Sequence, residues 1–464
     1  MNDKLIAAID LGTTKVVCLV GKMTDAGLRI IGYSQRPSKG INRGEVMNIQ
    51  QTLQSLVPVI NDVEGQLNVK LNDVYVGIAG QNIRCVTNGY QINRPAPEEL
   101  ISEEEINEIT SSMNGSFVQG DEEVLHVIPQ SYNIDNFTGV TEPVGMPGTQ
   151  ISANFKIFVG KKNSSVYTAD VVKRAGLNLR QIILEPMASA KAVLSEEEME
   201  LGVAMVDIGG GTTDLLIIQN NIVRHAAVIP FGGKCITSDI KTGCSIAEKN
   251  AEQLKIEHGC CYSPLAADKK TIFVNGINGR EGREISAKLL SNIIEARASE
   301  LFEAVYYEVE RSGYKDKLKA GLVLTGGTSK LAHIKELAQV ITGLDTNLGA
   351  PAEEIAESVV EINDPALSTA VGLIMMGAED SMKRGYSKVS EYNAFMGSRA
   401  AADEMENTTN EEGVNELVGE EEPELVAVTN AAREKKKEHK SGPSVFTKLK
   451  NSFSDIFKED DNEA

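Results

Sequence analysis

The stretch VAMVDIGGGTTDLLII, Val203 to Ile218, limits the folds open to this chain more than any other. Two apolar runs flank Asp207, three consecutive glycines (Gly209, Gly210, Gly211), Thr212, Thr213 and Asp214. Glycines let backbone N–H groups come close to a polyphosphate, threonine hydroxyls add donors, and an acid at the end of the first strand can hold a hydrated cation. The residues after the loop select among nucleotide folds. A Rossmann or P-loop glycine turn opens a helix, whereas Leu215 to Ile218 is rich in β-formers and continues as a second strand. The pattern predicts a phosphate-binding β-hairpin and disfavours both of those folds; taken alone, it also fits an ordinary glycine-rich hairpin turn.

The same grammar recurs at the N-terminus. LIAAIDLGTTKVVCLVGK has an apolar strand, Asp10, Gly12, the pair Thr13 and Thr14, then Lys15 and a second apolar strand. Asp10 answers Asp207, and Thr13-Thr14 answer Thr212-Thr213. Such a repeat predicts two similar domains facing each other, each giving one hairpin to a shared phosphate site in the cleft between them.

Composition narrows the rest. At 464 residues the chain can build two or more cores, and 41% hydrophobic with 24% charged residues is the balance of a soluble globular protein. A formal net charge of −20 argues against nucleic acid as a partner. Asp10 interrupts the first apolar run, which therefore reads as a strand and not as a signal peptide. No window approaches the ~20 apolar residues of a spanning helix, so any membrane contact is expected to be peripheral. The six cysteines (18, 85, 235, 244, 260, 261) form no CxxC pair and read as reduced thiols without a metal.

Along the chain, Ile6 to Ile9, Val16 to Val20 and Leu28 to Tyr33 read as strands joined by short turns. Gln50 to Gln66 has helical spacing, with Leu53, Leu56, Val57 and Ile60 on one face, and Val74 to Ala79 reads as a buried strand. From about Arg84 to Val159 the pattern changes to short strands and one acidic helix near Ser102 to Met113, opened by the capping signal SEEE. This reads as an inserted small domain. Tyr167 to Ala175 (helix), Leu179 to Leu184 (strand) and Met187 to Leu194 (helix) then lead into the central hairpin. Cys235 to about Tyr307 looks like a second inserted unit, dominated by helices. Within it Glu252 and Lys255 are three apart and share a helix face, a spacing that by itself describes a solvated ion pair. Gly321 to Thr325 reads as a strand, Gly326-Gly327-Thr328-Ser329 as a turn, and a helix is expected from near Lys330. That order sets backbone amides beside a flat ligand or a phosphate. Asp364-Pro365-Ala366 opens a helix through Met376, with Asp364 as N-cap.

The tail has its own physics. From Ala400 to Glu424 there are ten acidic residues and no Lys or Arg, which predicts a disordered linker. Arg433 to Lys440 begins a basic patch, and Val445, Phe446, Leu449, Phe453, Ile456 and Phe457 then fall at helical spacings, with Lys448, Lys450 and Lys458 among them. The pattern also fits a helix that docks on the protein's own body; at about 22 Å it is short of a ~30 Å hydrocarbon core, so on a membrane it is expected to lie flat in the interface of an anionic leaflet.

Five segments in register resemble the actin and heat-shock-chaperone ATPase superfamily: DLGTTK (10–15), ILEPMASAKAVL (183–194), DIGGGTTD (207–214), LTGGTSKL (324–331) and DPALSTAVGL (364–373). The resemblance covers roughly Leu5 to Ala378 and implies an α/β, two-domain ATPase fold with central mixed sheets and ATP with Mg2+ in the cleft. It implies that Asp10 and Asp207 hold the hydrated Mg2+, and that Gly12, Thr13, Thr14, Lys15, Gly209, Gly210, Gly211, Thr212 and Thr213 surround the phosphates. Glu252, Lys255, Gly326 and Gly327 would frame the adenosine, and Glu185 resembles the chaperones' acidic residue that positions an attacking water.

Neither a sugar-kinase substrate pocket nor a chaperone's peptide-binding domain is evident. The early insertion and the anchored tail instead resemble the FtsA family of actin-like division proteins, which tether the tubulin-like FtsZ to the cytoplasmic membrane. That layout implies subdomain 1A over 1–83, 163–195 and 363–380, and an inserted subdomain 1C over 84–162 in place of the usual 1B, on the other side of the molecule. It implies subdomain 2A over 196–234 and 308–362, and subdomain 2B over 235–307 as the receiver of the FtsZ C-terminal peptide. A linker over 381–443 and a membrane-targeting helix over 444–458 complete it. The resemblance further implies self-association into filaments, contacts with other division proteins at the division site, and at most weak ATP hydrolysis. A chaperone-like ATPase or a small-molecule kinase on the same core stays open at this point.

Overall fold

Two sheets of the same design carry the molecule. The computed structural model describes residues 5–384 apart from 26, 114–119, 268–269, 277–280, 352–354 and 356. The membrane helix with Val445, Phe446, Lys448, Leu449, Lys450, Phe453, Ile456 and Phe457 lies outside the described residues, as does the linker except for residues 381–384, which are helical and not linker. In the first sheet β1 (Leu5–Leu11), β2 (Lys15–Thr24) and β3 (Gly27–Pro37) form an antiparallel meander. A two-residue ribbon, β4 (Ile41–Asn42) with β5 (Glu45–Val46), and helix α1 (Ile49–Leu67) then lead to β6 (Asp73–Ile78), parallel to β1.

Helix α1 starts where the Asn48 side chain accepts the Gln51 N–H at 3.0 Å, and it ends at Asn68, whose φ of 53° is left-handed. Its buried stripe is Leu56, Val59, Ile60 and Val63, the i, i+3, i+4, i+7 set. Val57, expected on that face, points outward and is 36% exposed, because one residue past Leu56 turns the side chain by about 100°.

The insertion comes next as a separate layer. β7 (Arg84–Asn93), α2 (Glu103–Ser112), β8 (Glu122–Ile134), β9 (Phe137–Val140) and β10 (Gln150–Lys161) make a four-stranded sheet in the order β7-β10-β8-β9. The strands expected here to be short are long: β7 and β10 pair without interruption from Arg84↔Val159 to Asn93↔Gln150. Polar residues on the wetter face, such as Thr87 and Gln91, break up the apolar pattern without breaking the ladder. Phe155, Ile157 and Ile134 form its core together with Ile109 of α2. Ser102 caps α2 through the Glu105 N–H, but the Glu105 carboxylate turns to Arg94 (2.8 and 3.1 Å).

The first sheet then resumes. α3 (Lys162–Arg174) leads to β11 (Asn178–Leu184), parallel to β6, and α4 (Glu185–Val193) and α5 (Glu196–Leu201) come after it. The second sheet repeats the plan: β12 (Val203–Ile208), β13 (Thr213–Gln219) and β14 (Ile222–Ile229) meander, and helices lead back to a parallel strand beside β12. All six residues of β12 are buried, as a continuous apolar run covered on both faces requires. The helices are α6 (Gly233–Cys244), α7 (Glu248–His258) and, after a ribbon of β15 (Thr271–Val274) and β16 (Arg283–Ser286), the 26-residue α8 (Ala287–Ser312). Ile236, Ile240, Ile294, Phe302 and Val305 of α6 and α8 share one core with Val206, Ile208, Leu215 and Ile217 of the sheet.

β17 (Gly321–Thr325) pairs parallel with β12, and α9 (Ile334–Thr342) returns the chain to β18 (Thr346–Leu348). α9 starts four residues after Lys330, where a helix was expected. Residues 327–330 form a single 3-10 turn, Cys261 N–H bonds Ala332 O at 2.8 Å, and His333 adopts a φ of 63° that a helix cannot contain. The short strand β19 (Glu357–Ser358) borders β3. α10 (Ser368–Arg384) then lies back on the first sheet and continues eight residues beyond the expected end at Met376. It packs so closely on α4 that a Cβ at Gly372 would overlap the Ala188 carbonyl.

Candidate functional site

The two hairpin turns, at the ends of β1–β2 and β12–β13, meet over one cavity of about 1150 Å3. Asp10, Gly12, Thr13, Thr14, Lys15, Glu185, Asp207, Gly209, Gly210, Gly211, Thr212, Glu252, Lys255, Gly326 and Gly327 all line it. The exception among the expected site residues is Thr213. It is fully buried, and its hydroxyl donates to Phe231 O at 3.0 Å, away from the cleft. Alternation along β13 explains this, since Thr212 and Asp214 share the face that Thr213 leaves.

The glycines are required by closeness. A Cβ at Gly210 would overlap the Thr14 side chain, and one at Gly211 the Thr13 side chain, so the turns of the two halves touch backbone to side chain. Each turn is braced from its own half: Thr13 Oγ1 accepts Gly44 N–H at 3.0 Å, and Gly209 N–H bonds Thr212 O at 3.0 Å.

Four carboxyl groups ring the cavity, each less than one-tenth exposed: Asp10, Glu185, Asp207 and Asp214. Asp207 is held by both helices that join the halves. Ser189 of α4 donates to its Oδ2 at 2.6 Å and Thr369 of α10 at 3.2 Å, while Gly326 (φ 87°) leaves no room for a Cβ beside its Oδ1. Asp214 Oδ1 is buried with no hydrogen-bond partner. Burial pushes all four acids up. Asp10 rises to about 6, with Lys15 opposing and Asp207 adding to the shift. Glu185 and Asp214 are pushed well above the usual carboxylate range by burial and by their neighbours' charge, whereas the Ser189 and Thr369 hydrogen bonds and Lys15 restrain Asp207. Burial also lowers Lys15, against the pull of Asp10. Such a cluster favours a bound cation, which would let its acids ionise.

At the other end of the cavity Lys255 donates to Gly233 O (3.0 Å), Thr237 Oγ1 (2.9 Å) and Glu252 Oε2 (2.8 Å). Its three protons are fully used, so it fixes Glu252 and keeps none for a ligand. Gly327 is open toward Ala366 (3.6 Å from where a Cβ would stand), and Thr328 Oγ1 donates to Gly209 O at 2.9 Å. The site also contains residues to which the sequence motifs gave no site role: Asp214, Lys234, Thr237 and Asp364 line it, and Ser189 and Thr369 orient Asp207. Lys234 had a signal, since FGGK opens a helix directly after a strand. The Ser189 and Thr369 roles had none, because the two residues are 180 positions apart.

A family model described as cell division protein FtsA matches residues 204–372, and one described as the SHS2 domain inserted in FtsA matches residues 80–159. The cell division protein FtsA of Pseudomonas aeruginosa is 39% identical over 379 residues, 82% of this chain and 90% of that protein. The Escherichia coli K12 protein of the same name is 31% identical over 405 residues, 86% of this chain and 96% of its own length. Among solved structures, the PilM–PilN type IV pilus biogenesis complex superposes with a TM-score of 0.57 at 14% identity, over 80% of this chain and 98% of that one. MreB5 of Spiroplasma citri bound to ADP does so with a TM-score of 0.51 at 15% identity, over 83% and 99%. These two share the actin-like fold of paired α/β halves, as expected from the repeated hairpins. With identities above 30% along most of its length, the chain belongs to the FtsA family of actin-like cell-division proteins.

Proposed function

We propose that this cell-division protein binds Mg·ATP between its halves, self-associates into filaments, and tethers FtsZ to the inner face of the cytoplasmic membrane. The observation that carries the cleft reading is the meeting of two glycine–threonine turns over a cavity ringed by four buried carboxyl groups. A triphosphate fits the residues present. The turns offer backbone amides where no Cβ can stand, and the cavity is ample for a nucleotide, slightly larger than the ~300–1,000 Å3 usual for ligand pockets. Asp10 and Asp207 would hold Mg2+ through its water shell, and the cation would supply the positive charge that lets the ring of acids ionise. Glu252, Gly326 and Gly327 frame the nucleoside, with Lys255 acting through Glu252. Glu185, pressed against Gly77 at the start of α4, would orient a water for slow hydrolysis.

Residues 235–307 are assigned as subdomain 2B, the receiver of the FtsZ C-terminal peptide, and 84–162 as subdomain 1C; this rests on family membership. The segment 444–458 is assigned as the anchor. Each basic residue near an anionic leaflet contributes about 1 kcal/mol, so one copy binds reversibly, and a filament of many copies binds firmly because each further anchor engages intramolecularly.

Sedimentation with anionic liposomes, with and without ATP, tests the whole reading. Co-sedimentation that rises with ATP is expected, and Phe453→Glu with Phe457→Glu should abolish it by forcing charge into the apolar layer. Lys448→Gln with Lys450→Gln should weaken it mainly at low salt. A double-Glu chain that still sediments with liposomes, where it does not pellet alone, removes the tether.

A further inference from the structure

The cavity holds five lysines with unequal engagements. Lys255 is fully used, Lys330 is paired with both oxygens of Asp364 (3.1 and 3.0 Å), and Lys249 sits on the exposed start of α7. Lys15 comes from the first turn itself. Lys234 differs from all of these, because it joins the two turns. Its backbone N–H bonds Gly210 O at 2.8 Å, in the second turn, and its ammonium crosses the cleft to Thr13 O at 3.0 Å, in the first. The preceding Gly233 N–H bonds Gly209 O at 2.9 Å, so the start of α6 moves with the second turn. The side chain is otherwise exposed within the cavity, and an ammonium that makes one bond keeps two protons for a ligand.

We infer that Lys234 reads the terminal phosphate of the bound nucleotide, tying the two turns together through Thr13 while its remaining protons meet the last phosphoryl group. This deepens the proposed function and rests on it. The nucleoside end is framed by Gly326, Gly327 and Glu252, so the phosphate tail extends to the seam where Thr13 and Thr14 meet Gly210 and Gly211. Lys234 spans that seam. The acid-rich cavity repels a polyphosphate, and a lysine brought by the second half offsets this only when the cleft is closed. A triphosphate therefore gains more from closure than a diphosphate does, which makes Lys234 a residue for nucleotide specificity and for closure.

The test compares ATP and ADP affinities by calorimetry, with Mg2+, for the parent chain, Lys234→Gln and Lys234→Arg. Lys234→Gln should weaken ATP at least tenfold and ADP less than threefold, and Lys234→Arg should recover most of the ATP-to-ADP ratio. Amide exchange of the nucleotide-free chain gives a second readout: Lys234→Gln should speed exchange across 12–15 while leaving the core of β1 and β2 protected. Equal losses for ATP and ADP would make Lys234 only a structural tie, and unchanged affinities would remove it from the site; either result overturns the inference. A parent chain that binds neither nucleotide overturns the cleft reading itself, and this inference with it.

Discussion

The two halves of the cleft are the same scaffold with different electrostatics. Both sheets contain a three-strand antiparallel meander continued outward from its first strand by two parallel strands, and both carry an aspartate as the next-to-last residue of that first strand. The register shows the divergence. Val17 faces Asp10 across the first hairpin, whereas Asp214 faces Asp207 across the second. The first turn carries its own counter-charge in Lys15, whereas the second sets two acids opposite each other, and the lysine that α6 brings, Lys234, sends its ammonium to the first turn. Like charges directly opposite in a ladder are unfavourable, so the second half holds a tension that the first does not. Duplication of a fold therefore need not duplicate its charge, and here the asymmetry lets one half supply a lysine and the other a surplus of carboxylates.

The largest effect that can break this comparison is on stability against pH, without nucleotide or Mg2+. Asp10 is raised from 3.8 to about 6, so its contribution is fully present below about pH 4 and is lost as pH rises through about 6. At about 1.4 kcal/mol per unit, that is about 3 kcal/mol. Asp10→Asn should therefore gain melting temperature relative to the parent as pH rises from 4 to 7. Asp214→Asn should gain more, because no lysine offsets its burial. Equal gains would mean that Lys15 does not distinguish the halves.

Next in size is the loss of either strand-ending aspartate. Asp207→Ala should weaken Mg·ATP roughly 100-fold, about 2.8 kcal/mol, and Asp10→Ala roughly tenfold. Asp207 also organises Ser189, Thr369 and the turn at Gly326, so its removal disturbs both connecting helices. Calorimetry giving the reverse order would assign the organising role to the first half.

A smaller effect separates contacts within a half from contacts between halves. A Cβ at Gly12 meets Lys15 O of its own turn at 2.9 Å, whereas one at Gly211 overlaps Thr13 of the other half. Gly211→Ala should raise amide exchange roughly 5- to 30-fold in both turns, as a loss of one or two kcal/mol implies, and Gly12→Ala in the first turn only. If both variants loosen both turns, the seam is not where the halves are coupled.

The smallest is at the end of the cavity proposed for the nucleoside. Glu252→Ala should weaken ATP and ADP alike, by about 1 kcal/mol or several-fold, since a group fixed by Lys255 and Thr237 cannot sense the phosphate tail. A change confined to ATP would move Glu252 to the phosphates.

Much of the fold was legible because the signals are local. An apolar run, an acid, glycines and threonines within a dozen residues specify a hairpin wherever they occur, and both copies of it formed. The site was legible where a residue lies in such a motif. It was not legible where the partner lies far along the chain: Ser189 and Thr369 reach Asp207 only after the helices pack, and Lys234 finds Thr13 only across the cleft. The pairing of Asp214 with Asp207 was hidden in register, which composition does not reveal. Thr213 was misplaced by treating paired threonines as equivalent, although alternation sends neighbours to opposite faces. The insertion lost its long strands because its ladders run through polar residues, and α9 lost its start to a bridge with Cys260.

The insertion leans on β14 through Gln130 of β8, and this bears on how copies of this chain can meet. β14 is the outermost strand of the second sheet, and an outermost strand offers a row of unpaired backbone groups to any neighbour. Gln130 of β8 occupies part of that row by donating to Val223 O at 2.8 Å, and Arg224 closes over it by donating to Gln130 Oε1 at 3.3 Å. The opposite margin of the sheet, β18, is three residues long. Neither margin is an open template, so crowded copies are steered away from zipping strand to strand into aggregates, and side-chain surfaces are left to decide which contacts persist.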